Sequence, residues 1–137
     1  MNDPLDQLIS DLSAYASDPL GFVEWAFEWG IGELHARQGP EPWQRRLLLR
    51  VGAGLSVDAA VLEATASGHG VGKSALVAWL VLWAMSTSTD TRGVVTANTE
   101  TQLKTKTWVE LAKWYRLFIG RQLFRRQEWL HGDRKLE

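Results

Sequence analysis

The stretch Ser67-Gly68-His69-Gly70-Val71-Gly72-Lys73-Ser74 decides how this chain is read. Its three glycines alternate with other residues, so the backbone can turn tightly and aim its N–H groups inward at an anion. Lys73 supplies a mobile positive charge for the β- and γ-phosphates of a nucleotide, and the Ser74 hydroxyl stands where Mg²⁺ is held in such loops. The expected phosphate-contacting set is Gly68, His69, Gly70, Val71, Gly72, Lys73 and Ser74. The His69 imidazole itself is not needed for that contact and is expected to be exposed. One position departs from the usual pattern: Ser67 stands where a glycine is common, and Gly68 is expected to take over its turn. The competing reading is a glycine-rich turn followed by an ordinary surface lysine. The order of elements favours a phosphate loop, because an apolar strand is expected over 61–66 and an apolar helix over 75–85.

Working outward, 92–98 (Arg92-Gly93-Val94-Val95-Thr96-Ala97-Asn98) reads as a second short strand, rich in β-branched residues. Two strands flanking a phosphate loop and helix predict an α/β fold class. Thr99 and Gln102 have capping-box spacing, so a helix is expected to start there. Within it Trp108, Leu111, Ala112, Tyr115, Phe118 and Ile119 fall on one face, with Lys106, Glu110 and Lys113 opposite. Upstream, 5–16 reads as an amphipathic helix carrying Leu5, Leu8, Ile9, Leu12 and Ala16 on one face. Asp18-Pro19 breaks it and caps a second helix over 21–27. A loop over 30–42 ends at Pro40-Glu41-Pro42, and a third helix is expected over 43–55.

Composition narrows the class. The chain has 137 residues, enough for one domain or part of one, and a 45% apolar share that suits a globular protein. Zero cysteines exclude a disulfide scaffold and a thiolate metal site, and fit a reducing cytoplasm. The N-terminus is acidic and lacks a basic leader, so no secretory signal is expected. The apolar run over 75–85 is too short to span a bilayer and suits a helix buried on several sides. No membrane partner is expected, and the localisation is read as cytoplasmic. His35 and His131 have no partners at metal-ligand spacing.

Net charge is −1, but it is unevenly spread. Residues 1–42 hold eight acidic residues and one basic residue, Arg37; residues 104–137 hold nine basic and four acidic. A basic C-terminal part can approach nucleic acid, with Trp108, Trp114 and Trp129 interleaved; the alternative is a solvated helical surface. Trp79 and Trp83, one helical turn apart, are expected in the core rather than in a stacking platform.

Four groups of residues together resemble the N-terminal ATPase part of bacteriophage terminase large subunits, the DNA-packaging motors. They are Asp18-Pro19-Leu20-Gly21-Phe22-Val23, Gly39-Pro40-Glu41-Pro42-Trp43-Gln44, the phosphate loop with Ala75, and Val94-Val95-Thr96-Ala97-Asn98-Thr99-Glu100-Thr101-Gln102-Leu103. The resemblance covers roughly residues 18 to 118. It implies an incomplete P-loop NTPase fold of the additional-strand type, with an N-terminal helical segment over 1–56, a partial ATPase core over 57–119 and a basic segment over 120–137. It implies ATP and Mg²⁺ as cofactors. Gln44 then contacts adenine, Lys73 the phosphates and Ser74 the metal, while Trp43 either stacks on the base or packs the helix. For Gln102 a coupling role is implied, although the capping box explains it as well.

The partners implied are double-stranded DNA, the terminase small subunit and the portal, with a possible homo-oligomer in the full-length protein. The family's Asp-Glu pair after a third strand is not found after Lys73, nor are the carboxylates of its nuclease domain. On this reading no catalytic residue lies within the chain, its two strands need partners it does not contain, and it is expected to be marginally stable alone or to borrow cover from another chain. A helicase-like or kinase-like P-loop fragment, and a catalytically silent DNA-binding or assembly module, stand as alternatives.

Overall fold

A computed structural model describes residues 4–55, 72–87, 103–121, 129–131 and 134–136. The described residues form a helical body of five α-helices: α1 (Pro4–Ser13), α2 (Pro19–Ala26), α3 (Pro42–Leu55), α4 (Lys73–Thr87) and α5 (Trp108–Leu117). A 3-10 turn, Gly32–Leu34, interrupts the loop between α2 and α3, and a π turn, Leu103–Thr107, leads into α5.

The expected α/β class is therefore corrected. The two strands on which it rested, 61–66 and 92–98, lie outside the described residues, as do Thr99 and Gln102. The only extended structure described is a three-residue antiparallel pair, β1 (Trp129–His131) with β2 (Arg134–Leu136), in the register Trp129↔Leu136. It supplies none of the parallel pairing that a P-loop core requires. Among the described residues the cover for the apolar helix comes from other helices. Helix α4 buries Ala75, Leu76, Ala78, Trp79 and Leu82 and packs against α1, α2 and α5. A helix that is apolar on most of its circumference needs cover, and among the described residues these three helices supply it over the buried part of α4.

Local sequence explains the boundaries. Asp18 caps α2: its Oδ1 accepts the Gly21 N–H at 2.9 Å, and Pro19 fills the first helical position, where no N–H is needed. Gly21 is required by the same cap, since a Cβ there would run into the Asp18 carboxylate. Helix α1 buries Leu8 and Leu12, one turn apart, while Ile9 beside them is exposed. Helix α3 begins at Pro42, with Glu41 O accepting the Arg45 N–H at 2.9 Å.

The core is aromatic. Trp79 and Trp114 meet edge to face at 5.2 Å between centroids, and Phe27 meets Trp114 at 4.9 Å. Trp29 joins Trp79 at 5.9 Å, and Phe22 lies 5.5 Å from Phe118. Such tilted and T-shaped pairs add ~0.5–1.5 kcal/mol each beyond the burial of their area. Polar edges are placed at the rim. Trp83 Nε1 donates to Tyr15 O at 2.7 Å, Trp29 Nε1 to Val23 O at 3.0 Å, and Trp114 Nε1 to Glu110 Oε2 at 2.9 Å. Trp79 Nε1 has no hydrogen-bond partner among the described residues.

Trp79 and Trp83 are thus core residues, as their spacing implied. The face of α5 holds in part. Leu111 and Phe118 are buried and Trp108 and Tyr115 pack against the core, but Ile119 is exposed and Trp114, not on the expected face, is fully buried. Glu110 and Lys113, expected opposite the core, both serve Trp114: one accepts its N–H, and the other sets its ammonium 5.1 Å over the ring. Among the described residues no helix is long and apolar enough to cross a membrane.

Candidate functional site

The N-termini of α3 and α4 come together, and a single side chain joins them. Pro42 starts α3, Trp43 follows, and Gln44 is its third residue. Gln44 Oε1 accepts the Glu41 N–H at 2.8 Å, which is the return half of a capping box. Gln44 Nε2 donates to Gly72 O at 2.9 Å, across 28 residues of sequence. That carbonyl also accepts the Leu76 N–H at 3.1 Å, the first helical bond of α4. Gly72 therefore stands at the N-cap of α4, with both lone pairs of its oxygen used.

The glycine is demanded twice at this position. Its φ is +94°, in the left-handed region where a side chain is strained. A Cβ there would also stand 2.5 Å from Gln44 Nε2 and 3.8 Å from Trp43 Cζ2. The Trp43 indole lies beside Gly72, half-buried and packed against the core. Of the two roles open to Trp43, packing is the one its position here serves.

Beyond Gly72 the chain turns directly into α4. Lys73 is exposed at its first position and Ser74 half-buried at its second. The first-turn N–H groups of a helix have no carbonyl of their own helix to bond, and fifteen aligned residues put partial positive charge at that end. An anion held there meets N–H groups, the Ser74 hydroxyl and the Lys73 ammonium within one turn.

Of the residues assigned to the phosphate loop, Gly72, Lys73 and Ser74 are brought together, with Gln44 beside them. Gly68, His69, Gly70 and Val71 lie outside the described residues. Gln44 is fully buried, and its carboxamide is held by two backbone groups. The sequence carried a signal for this: a glutamine two residues after Pro42, with a polar residue before that proline, has capping-box spacing. His35 Nδ1 lies 3.0 Å from Gly32 O at the surface, away from any acidic cluster. Among the described residues no group of three or more His, Cys, Asp or Glu side chains is arranged to hold a metal ion.

Two tryptophans and one arginine of the basic C-terminal part face the rest of the helical body. Trp114 is fully buried, and Trp108 packs against the core. Arg116 Nη2 lies 2.9 Å from both carboxylate oxygens of Glu33, so an acidic residue of the N-terminal half neutralises it. Arg45 pairs with Glu24 at 3.1 Å in the same way. Both ion pairs are exposed, and exposed pairs contribute only ~0–1 kcal/mol.

Comparison with known proteins gives no match: no family model, no curated protein and no solved structure matches the chain.

Proposed function

We propose that the chain binds the phosphates of a nucleotide at the N-terminus of α4. One observation carries this reading. Gly72, at φ +94°, leads straight into a fifteen-residue helix whose first two residues are Lys73 and Ser74. Lys73 neutralises phosphate charge, the first-turn N–H groups donate to the anion, the Ser74 hydroxyl oxygen would face its Mg²⁺, and the apolar length of α4 anchors the site in the core. The resemblance of the surrounding segments to packaging motors names the ligand as ATP with Mg²⁺. It also names the setting: the nucleotide-binding part of a motor that moves double-stranded DNA together with a small subunit and a portal. Nucleotide binding is the activity assigned to this chain.

Isothermal titration with Mg-ATP tests the reading. The wild-type chain should bind, and Lys73→Ala should weaken binding by about 10- to 100-fold, since a hydrogen bond to a charged group contributes ~1.5–3 kcal/mol. Lys73 is exposed at a helix start, where alanine is well tolerated. Equal affinity of the two proteins would rule out the site.

A further inference from the structure

We infer that Gln44 is a positioning residue for this phosphate site, acting through the Gly72 carbonyl and not through the base of the nucleotide. The inference rests on the phosphate-binding reading of the α4 N-terminus. Gln44 is the one buried polar side chain among the described residues, and both ends of its carboxamide are engaged by the backbone. A glutamine amide has two N–H donors and one carbonyl oxygen. To read the edge of a purine, this one would have to leave Glu41 N and Gly72 O, both of them part-buried groups. Buried polar groups without partners are disfavoured, so the arrangement holds the amide in place.

What Gln44 does hold is the peptide unit that ends the loop. Gly72 O is fixed from two directions, by the Leu76 N–H within α4 and by Gln44 Nε2 from α3. Fixing that carbonyl fixes the plane of its own peptide, whose N–H belongs to Lys73. It also fixes the angle at which the loop enters the helix. The contact needs glycine at 72, because a Cβ would stand 2.5 Å from Nε2. It also ties the cap of α3 to the cap of α4, so a displacement of either helix start is passed to the other. A preorganised anion site binds more tightly because its donors need not be ordered on binding. That benefit is the same for any ligand carrying the phosphates, whatever its base.

The test compares Mg-ATP, Mg-GTP and inorganic tripolyphosphate on the full 137-residue chain, in wild type, Gln44→Ala and Gln44→Glu. Gln44→Glu keeps an acceptor for the Glu41 N–H but removes the donor to Gly72 O. Both variants should lose affinity for all three ligands by a similar factor, about 3- to 10-fold, as expected for one neutral hydrogen bond. The Gln44 side-chain amide resonance of the wild type should stay slowly exchanging and unshifted when ATP is added, a readout that survives if a variant does not fold. A loss confined to ATP, or an amide resonance that shifts with ATP and not with tripolyphosphate, overturns the inference and leaves the phosphate site standing. Undiminished binding of all three ligands by Gln44→Ala does the same. If the wild type binds none of the three, the phosphate reading fails, and this inference fails with it.

Discussion

At the scale of single residues, Gly72 and Gln44 depend on each other. Gly72→Ala would force a side chain to φ +94° and push its Cβ towards Gln44 Nε2. Swinging the glutamine aside relieves the contact but leaves the Glu41 N–H without its capping partner. The strain of a non-glycine residue in this region is of order 1–3 kcal/mol, and the lost cap adds to it. Gly72→Ala should therefore lower the urea midpoint of the chain clearly, and Gln44→Ala should lower it less. Equal midpoints for wild type and Gly72→Ala would mean that the loop re-forms without this conformation. Read from the sequence, Gly72 was a phosphate-loop glycine and Gln44 a base contact. The sequence does not show a hydrogen bond across 28 residues, because capping-box spacing and base-contact motif coincide at Gln44.

At the scale of elements, the signals that were legible are those whose physics is local. Asp18-Pro19 marked the start of α2, and the structure gives that cap its hydrogen bond at 2.9 Å. Asp18→Ala removes the side-chain acceptor of the Gly21 N–H at that helix start. It should destabilise the chain by ~1 kcal/mol, read as a fall in the midpoint of thermal unfolding, while Asp18→Asn should restore most of it. No change on Asp18→Ala would show that α2 is held by packing alone. Pro42 at the start of α3 and the apolar run of α4 were legible for the same reason. The inward face of α5 was legible in part: Leu111 and Phe118 are buried and Trp108 and Tyr115 pack against the core, as their spacing implied, whereas Ile119 is exposed. Trp114 was missed, because it stands between Lys113 and Tyr115, off the counted stripe. Its burial depends on Glu110 satisfying its N–H and on Phe27 and Trp79 meeting its ring, and those contacts come from three different elements.

At the scale of the whole molecule, the strongest expectation from sequence was that α4 would be poorly covered without further strands. In the structure α1, α2 and α5 pack against it, and Trp29 of the loop after α2 meets Trp79 at 5.9 Å, while Leu80, Val81 and Met85 are only partly buried among the described residues. Arg37 adds to that contact, its guanidinium 5.7 Å from the Trp29 ring and 5.6 Å from Trp114. A core formed within one chain should unfold as a unit. The helical signal in far-ultraviolet circular dichroism and the tryptophan fluorescence should then follow one urea transition, with a midpoint independent of protein concentration. Trp114 is the residue on which that unity depends, since its ring touches Phe27, Trp29 and Trp79. Truncating a buried tryptophan costs about 3–5 kcal/mol, a large part of the ~5–15 kcal/mol that holds a domain of this kind together. Trp114→Ala should collapse the transition to low urea or abolish it, whereas Trp114→Phe, which keeps an aromatic ring in the cluster, should retain a cooperative transition at a lower midpoint. A midpoint that rises with protein concentration in the wild type would mean instead that α4 draws its cover from a second chain.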